Sequence, residues 1–207
     1  MNKNKNPQFF ERIKSEIEEL REDLMGLPIN DFKTVGDFGC GWGYITYSLA
    51  QELPASQCIG VDKFDPDDPP TLNTGFSIEN IRDWHMEINA ENHLDFRQAN
   101  FVSGENIPFG FDLIYCKRVM YNIFLKGGEK ELSQAINHIA QALRPSGWFC
   151  LVEIYESQFN AILEEILNQA NFAFTPARCS YRRYNTLLKN YDTYPYLIYQ
   201  CQKKEVL

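Results

Sequence analysis

The sequence predicts a doubly wound α/β fold, a mostly parallel sheet with helices on both faces. Three observations carry this prediction. First, an apolar run, a glycine-rich turn, a helical pattern and a second β-branched apolar run follow one another over residues 33–64, which makes a βαβ unit. Second, the alternation of strand-like and helix-like patterns continues to residue 171. Third, the last two strand-like runs, RCSYRRYNTLL (178–188) and YPYLIYQCQKK (194–204), have only KNYDT between them. With no helix to carry a crossover, the chain is expected to close with an antiparallel pair.

The elements follow in order. Residues 7–25 read as an amphipathic helix, with Asn6 as N-cap and Pro7 in the first turn. Phe10, Ile13, Ile17, Leu20 and Leu24 form its apolar stripe, and Gly26 and Pro28 end it. KTVGDFGC (33–40) is a short buried strand, GYITYSLAQEL (43–53) a helix and QCIGVDKF (57–64) a second strand. Residues 66–75, PDDPPTLNTG, form a Pro/Asp/Gly-rich loop, which is either a lid over a ligand or a plain surface loop. A helix over 77–92, capped by Ser77, leads to strands at 94–100 and 111–116. The helix at 129–143 is closed by RPSG, the fifth strand covers 148–155 and the last helix 159–171. The expected unit is one domain over 1–207, with residues 1–30 a helical extension packed on it. Whether that extension covers the active site or only packs on the sheet is left open by the sequence.

Composition agrees with this. The chain has 207 residues, 44% hydrophobic and 23% charged, the balance of one soluble domain. Its net charge of −8 repels phosphate backbones, so nucleic acid is not an expected partner. No apolar run approaches the roughly 18 residues of a membrane span, and the N-terminus lacks the apolar centre of a secretory signal. A cytoplasmic location is therefore expected. None of the six cysteines pairs with another at C-x-x-C spacing, and neither a disulfide nor a metal site is expected.

The informative stretch is GDFGCGWG, residues 36–43. Glycines at 39, 41 and 43 stand where a strand turns into a helix. In a doubly wound sheet that turn borders the ligand crevice, where glycine lets the backbone come close to a ligand and the new helix presents free N–H groups. The dinucleotide fingerprint G-x-G-x-x-G/A fails, because Tyr44 stands at its last position. Asp37, two residues before the first glycine, suits a positively charged amino group better than a pyrophosphate. Asp62 ends the second strand, 62 − 39 = 23 residues after the first glycine, where a carboxylate can accept ribose hydroxyls.

These residues resemble the class I S-adenosylmethionine-dependent methyltransferases, from about Thr34 to the C-terminus. VGDFGCGWG is similar to the family's first motif and IGVDKF to its second. FRQANFVSGENIPFGFDLIYC is similar to the stretch holding its third and fourth strands, and ALRPSGWFCLVE to the turn into its fifth. The closing pair resembles the family's hairpin, which implies a seven-stranded sheet of order 3-2-1-4-5-7-6 with the last strand antiparallel. The resemblance implies S-adenosyl-L-methionine as cofactor. Gly39, Cys40, Gly41 and Gly43 would wrap its methionine part, with Asp37 near the amino group. Asp62 would hold the ribose, Lys63 and Phe64 would flank the adenosine, and Asn100 and Phe101 would face adenine. Cys116 would give backbone contacts near the methionine. Asn100 departs from the acid usual at its position, though an amide oxygen can still accept a hydrogen bond.

The methyl acceptor is less readable. The three histidines offer no convincing base, and His138, inside a helix, reads as structural. The rim after the fourth strand, CKRVMYNI, supplies Lys117 and Arg118 for an anionic group and Tyr121 and Asn122 to orient an acceptor. The plainer reading is that these cations pair with nearby acids. Arg178, Arg182 and Arg183, interleaved with tyrosines, are either a binding patch or edge-strand charges, and consecutive Arg182 and Arg183 point to opposite faces. The expected function is methyl transfer to O or N of a small molecule or peptide. A non-catalytic cofactor-binding scaffold and an RNA methyltransferase are the alternatives.

Overall fold

β1 (Thr34–Phe38) is buried from Val35 onward, and the computed structural model builds the rest of the sheet outward from it. The structure describes residues 7–65, 77–88, 94–185 and 190–204, with side chains from 13–65, 77–83, 94–177 and 195–204. β1 pairs in parallel with β2 (Gln57–Asp62) on one side and β4 (Phe111–Lys117) on the other. β3 (Leu94–Gln98) extends the sheet beyond β2, and β5 (Leu143–Ile154) beyond β4. β7 (Asn190–Lys203) then runs antiparallel to both β5 and the edge strand β6 (Phe172–Asn185). The order is β3-β2-β1-β4-β5-β7-β6, the expected one. Strand order reverses between β1 and β4, and this places the ligand crevice beyond the carboxyl ends of those two strands.

Side chains alternate along each strand and so divide the core in two. Ile114, Phe149 and Leu151 face α4 (Met120–Ala142) and α5 (Ser157–Gln169). Leu113, Tyr115, Cys150 and Val152 face the side covered by α1 (Pro7–Asp23) and α2 (Tyr44–Glu52), where Leu20, Leu24 and Leu49 join them. α3 (Ile78–Ile88) adds Ile81 to a smaller cluster with Phe64 and Phe96. Cys40, Cys58, Cys116, Cys150 and Cys201 are buried free thiols.

Several boundaries differ from those expected. α4 starts nine residues earlier than residue 129. Its Gly128 has φ 67 and ψ −162, so two helical segments meet at a break that reads in sequence as a helix start. RPSG does not separate α4 from its strand. It bulges inside β5, because Phe111 pairs with Leu143 and Leu113 with Trp148. The closing hairpin is longer than expected. Phe172 already pairs with Lys203, and Asn190 to Thr193 belong to β7 rather than to a connection. Pro176 lies inside β6, opposite Tyr199, where an edge strand tolerates proline. The 66–75 loop and His93 lie outside the described residues, as do the side chains of His85, Arg178, Tyr181, Arg182, Arg183 and Tyr184.

Candidate active site

The turn after β1 is held by its neighbours before any ligand is considered. The N–H groups of Gly39 and Cys40 both donate to the Val61 carbonyl, at 2.7 and 3.2 Å. The backbone has φ +81 at Gly39, +51 at Gly41 and +75 at Gly43, conformations that disfavour a side chain. Gly39 has a second constraint. A Cβ there would lie 2.2 Å from Cγ2 of Val119, in the turn between β4 and α4. Gly43 is the N-cap of α2, and its N–H donates to the Cys40 carbonyl at 2.8 Å. α2 thus begins immediately beside the crevice, with its positive end toward it.

Two carboxylates flank this turn. Asp62 ends β2, and its Oδ2 accepts the Gly41 N–H at 2.9 Å. Burial raises its pKa, against the opposing effect of the Gly41, Phe64 and Lys63 N–H groups. Asp37 is buried at 1% exposure, and Oδ2 accepts the Thr46 hydroxyl at 2.6 Å. Burial pushes Asp37 up to about 7, and the charge of Asp62 adds to this. Thr46 was missed in sequence, although a hydroxyl in the first turn of the helix after the glycines was a readable signal.

The residues expected beside adenosine are arranged around the end of β3. The Lys63 carbonyl accepts Gln98 Nε2 at 2.7 Å, and the Lys63 ammonium lies 3.8 Å from Asp65. The Phe64 ring is buried with Cys40, Ile81 and Phe96. Asn100 Oδ1 accepts the N–H groups of Val102 (3.0 Å) and Ser103 (3.3 Å), so it shapes the local turn. Phe101 stacks on Phe38 with centroids 5.1 Å apart and is 5% exposed, so its ring belongs to the core. His138 Nδ1 lies 2.7 Å from the Phe101 carbonyl, consistent with a structural role.

At the end of β4, Cys116 is fully buried among the residues facing α4. Lys117 points to the opposite face, where α1 meets it with three carboxylates: Glu19 at 2.5 Å, Glu16 at 3.6 Å and Asp23 at 3.8 Å. The plainer reading of Lys117 therefore describes its geometry. Asp23 also accepts the Tyr115 hydroxyl at 2.5 Å. Burial pushes Asp23 up to about 6, with Lys117 and Tyr115 opposing. Arg118 is 3.8 Å from Glu19 and lies over the Tyr196 ring at 5.0 Å. Its φ of 63 is in the left-handed region. Tyr121 packs edge-on against Phe159, and Asn122 Nδ2 donates to the Arg118 carbonyl at 2.9 Å. The acids of α1 and the buried Glu153 of β5 were not singled out in sequence. Glu153 is one charge within an apolar strand and the α1 acids are part of a run of charges, and only the packed fold shows what each meets.

A family model described as a methyltransferase domain matches residues 37–149, which is 113 of 207 residues and begins at Asp37 itself. The chain belongs to the class I S-adenosylmethionine-dependent methyltransferases. No curated protein matches it in sequence. Among solved structures, this chain is similar to a chain of the complex formed by the Haloferax volcanii Trm112 methyltransferase activator. That match has a TM-score of 0.67 at 15% identity and covers 97% of this chain and 94% of the other. The cyclase SpnF matches with a TM-score of 0.65 at 15% identity, covering 92% and 81%. The N-methyltransferase NodS of Bradyrhizobium japonicum, solved with S-adenosylhomocysteine, matches with a TM-score of 0.61 at 16% identity, covering 98% and 91%. At these identities the likeness is one of fold. Among the described residues, no group of three or more His, Cys, Asp or Glu is placed to hold a metal ion. No described helix is long and apolar enough to cross a membrane.

Proposed function

We propose that the chain is an S-adenosylmethionine-dependent methyltransferase that modifies O or N of a small molecule or peptide. The observation that carries the reading is the joined pair of the glycine turn and the Asp62 carboxylate, tied by the Gly41 N–H at 2.9 Å. The residues present fit the cofactor of the family. The side-chain-free turn leaves room for close backbone approach, and both flanking acids suit a ligand with hydroxyls and an ammonium.

Gly39, Gly41 and Gly43 would hold the methionine part and Asp62 the ribose hydroxyls. Lys63, Asn100 and the backbone of Phe101 would border the adenine, with Cys40 and Cys116 contributing backbone. When bound, the cofactor supplies a methyl group on a sulfonium, so the protein's task is chiefly alignment and exclusion of water. Asp37 is poised to change charge. A positive group placed near it favours its ionised form, so Asp37 gives up its proton as the site fills. Arg118 and Tyr121, on the rim, are the candidates for meeting the acceptor, whereas Lys117 is engaged by α1.

A non-catalytic scaffold remains the alternative, and SpnF illustrates that this fold also carries a cyclase. Calorimetry with S-adenosylhomocysteine tests cofactor binding. Binding lost in Gly41→Val supports the reading, and a wild-type chain that does not bind sinks it. Methylation assays across metabolites, peptides and RNA then separate enzyme from scaffold.

A further inference from the structure

Glu153 stands at the carboxyl end of β5, on the face of α4 and α5, and is fully buried. Its Oε1 accepts two backbone N–H groups, those of Val119 and Met120, each at 2.7 Å. These are the N-cap and the first residue of α4, where a helix cannot satisfy its own N–H groups, and Val119 offers no side-chain cap. Oε2 is buried and without a hydrogen-bond partner among the described residues. Burial pushes the carboxyl up to about 7. An acid in this setting is costly to the strand that carries it, and what it secures is the turn from Arg118 to Met120. That turn contains the left-handed Arg118, whose N–H donates to the Val152 carbonyl at 2.9 Å. On its other side Val119 lies against Gly39, with Cγ2 2.2 Å from where a Cβ would be.

We infer that Glu153 is a positioning residue for the cofactor turn: by holding the N–H groups of Val119 and Met120 it sets Val119 against Gly39 and fixes the turn that the glycines form. The inference rests on the cofactor-site reading given above. It joins three strands in one chain of contacts, from Glu153 on β5 through Val119 after β4 to Gly39 after β1. It also gives the acceptor rim and the cofactor turn a shared support, since Arg118 and Tyr121 flank the two residues that Glu153 holds.

The test is calorimetric titration of S-adenosylhomocysteine into the wild-type chain, Glu153→Ala, Glu153→Gln and Val119→Ala. Wild-type binding tests the cofactor reading itself, and without it the inference falls too. Given that binding, Glu153→Ala leaves two buried donors without their acceptor, and affinity is expected to fall about tenfold or more. Glu153→Gln keeps an oxygen in place and restores most of the loss, which a merely bulky filler would not do. Val119→Ala weakens binding as well, and adds little on top of Glu153→Ala because both act through one contact. A cooperatively melting Glu153→Ala with affinity within about twofold of wild type overturns the inference while leaving the cofactor reading intact. Should Glu153→Ala not fold, Val119→Ala decides, and unchanged affinity in that variant has the same consequence.

Discussion

Gly39 is the residue with the least freedom to vary. It combines φ +81 with Val119 against its open side, so even Gly39→Ala meets both backbone strain and a 2.2 Å clash. The expected cost is about 1–3 kcal/mol of stability together with loss of cofactor binding, read by denaturant titration and calorimetry. Asp37 carries a second prediction. With its carboxyl pushed up to about 7, arrival of an ammonium releases protons. Calorimetry at roughly pH 6.5 in buffers of different ionisation enthalpy measures that release, and Asp37→Asn removes it. The stability of the chain also depends on pH. Asp37 and Glu153 are each raised to about 7 and Asp23 to about 6, so the native chain holds these protons more tightly than the unfolded chain. Their contribution to stability is full below the ordinary carboxylate range and is lost as pH rises to the folded values. Stability is therefore expected to decline from about pH 4 to pH 7 and to level off above. Denaturant midpoints across that window check this, and Asp37→Asn flattens the slope.

At the scale of elements, α1 is fastened to the end of β4 by charge as well as by its apolar stripe. Lys117 and Tyr115 reach Glu16, Glu19 and Asp23, while Leu20 and Leu24 pack on Val152 and Ile198. Removing one side of a buried ion cluster leaves charge without compensation. Lys117→Ala is expected to cost about 3–5 kcal/mol by denaturant unfolding, and Glu19→Gln, which is less buried and leaves two acids for the lysine, clearly less. The stripe of α1 was readable from its helical spacing, because an amphipathic helix must bury that face somewhere. Its partner was not readable, since Lys117 and Asp23 are 94 positions apart in sequence. The hairpin teaches the converse. Sequence identified two strands without a helix between them, but β7 pairs with β5 only from Tyr196 to Gln202, while its pairing with β6 runs on to Asn190. The arm therefore extends past the end of β5, toward the crevice side of the sheet, a length no local pattern specified.

For the whole molecule, the two faces of one sheet share β1, β4 and β5, so neither face can lose its helices without exposing the strands of the other. We expect a single unfolding transition in which α1 melts with the sheet, seen as coincident circular dichroism and fluorescence curves; a separate early transition would contradict a one-domain unit. The sequence by itself determined the class and the place of the glycine turn, and its resemblance to the methyltransferase family implied the strand order. Class and turn depend on local rules: period two or 3.6 in the apolar residues, glycine where a turn needs it, and an acid at a fixed interval beyond. Tertiary structure alone decided which of the charged residues are available for chemistry. It buried Lys117 among the acids of α1, paired Asp37 with Thr46, turned Phe101 into the core and set Glu153 under the start of α4. A side chain's charge and protonation are set by what surrounds it in space, and those surroundings come from segments far apart along the chain.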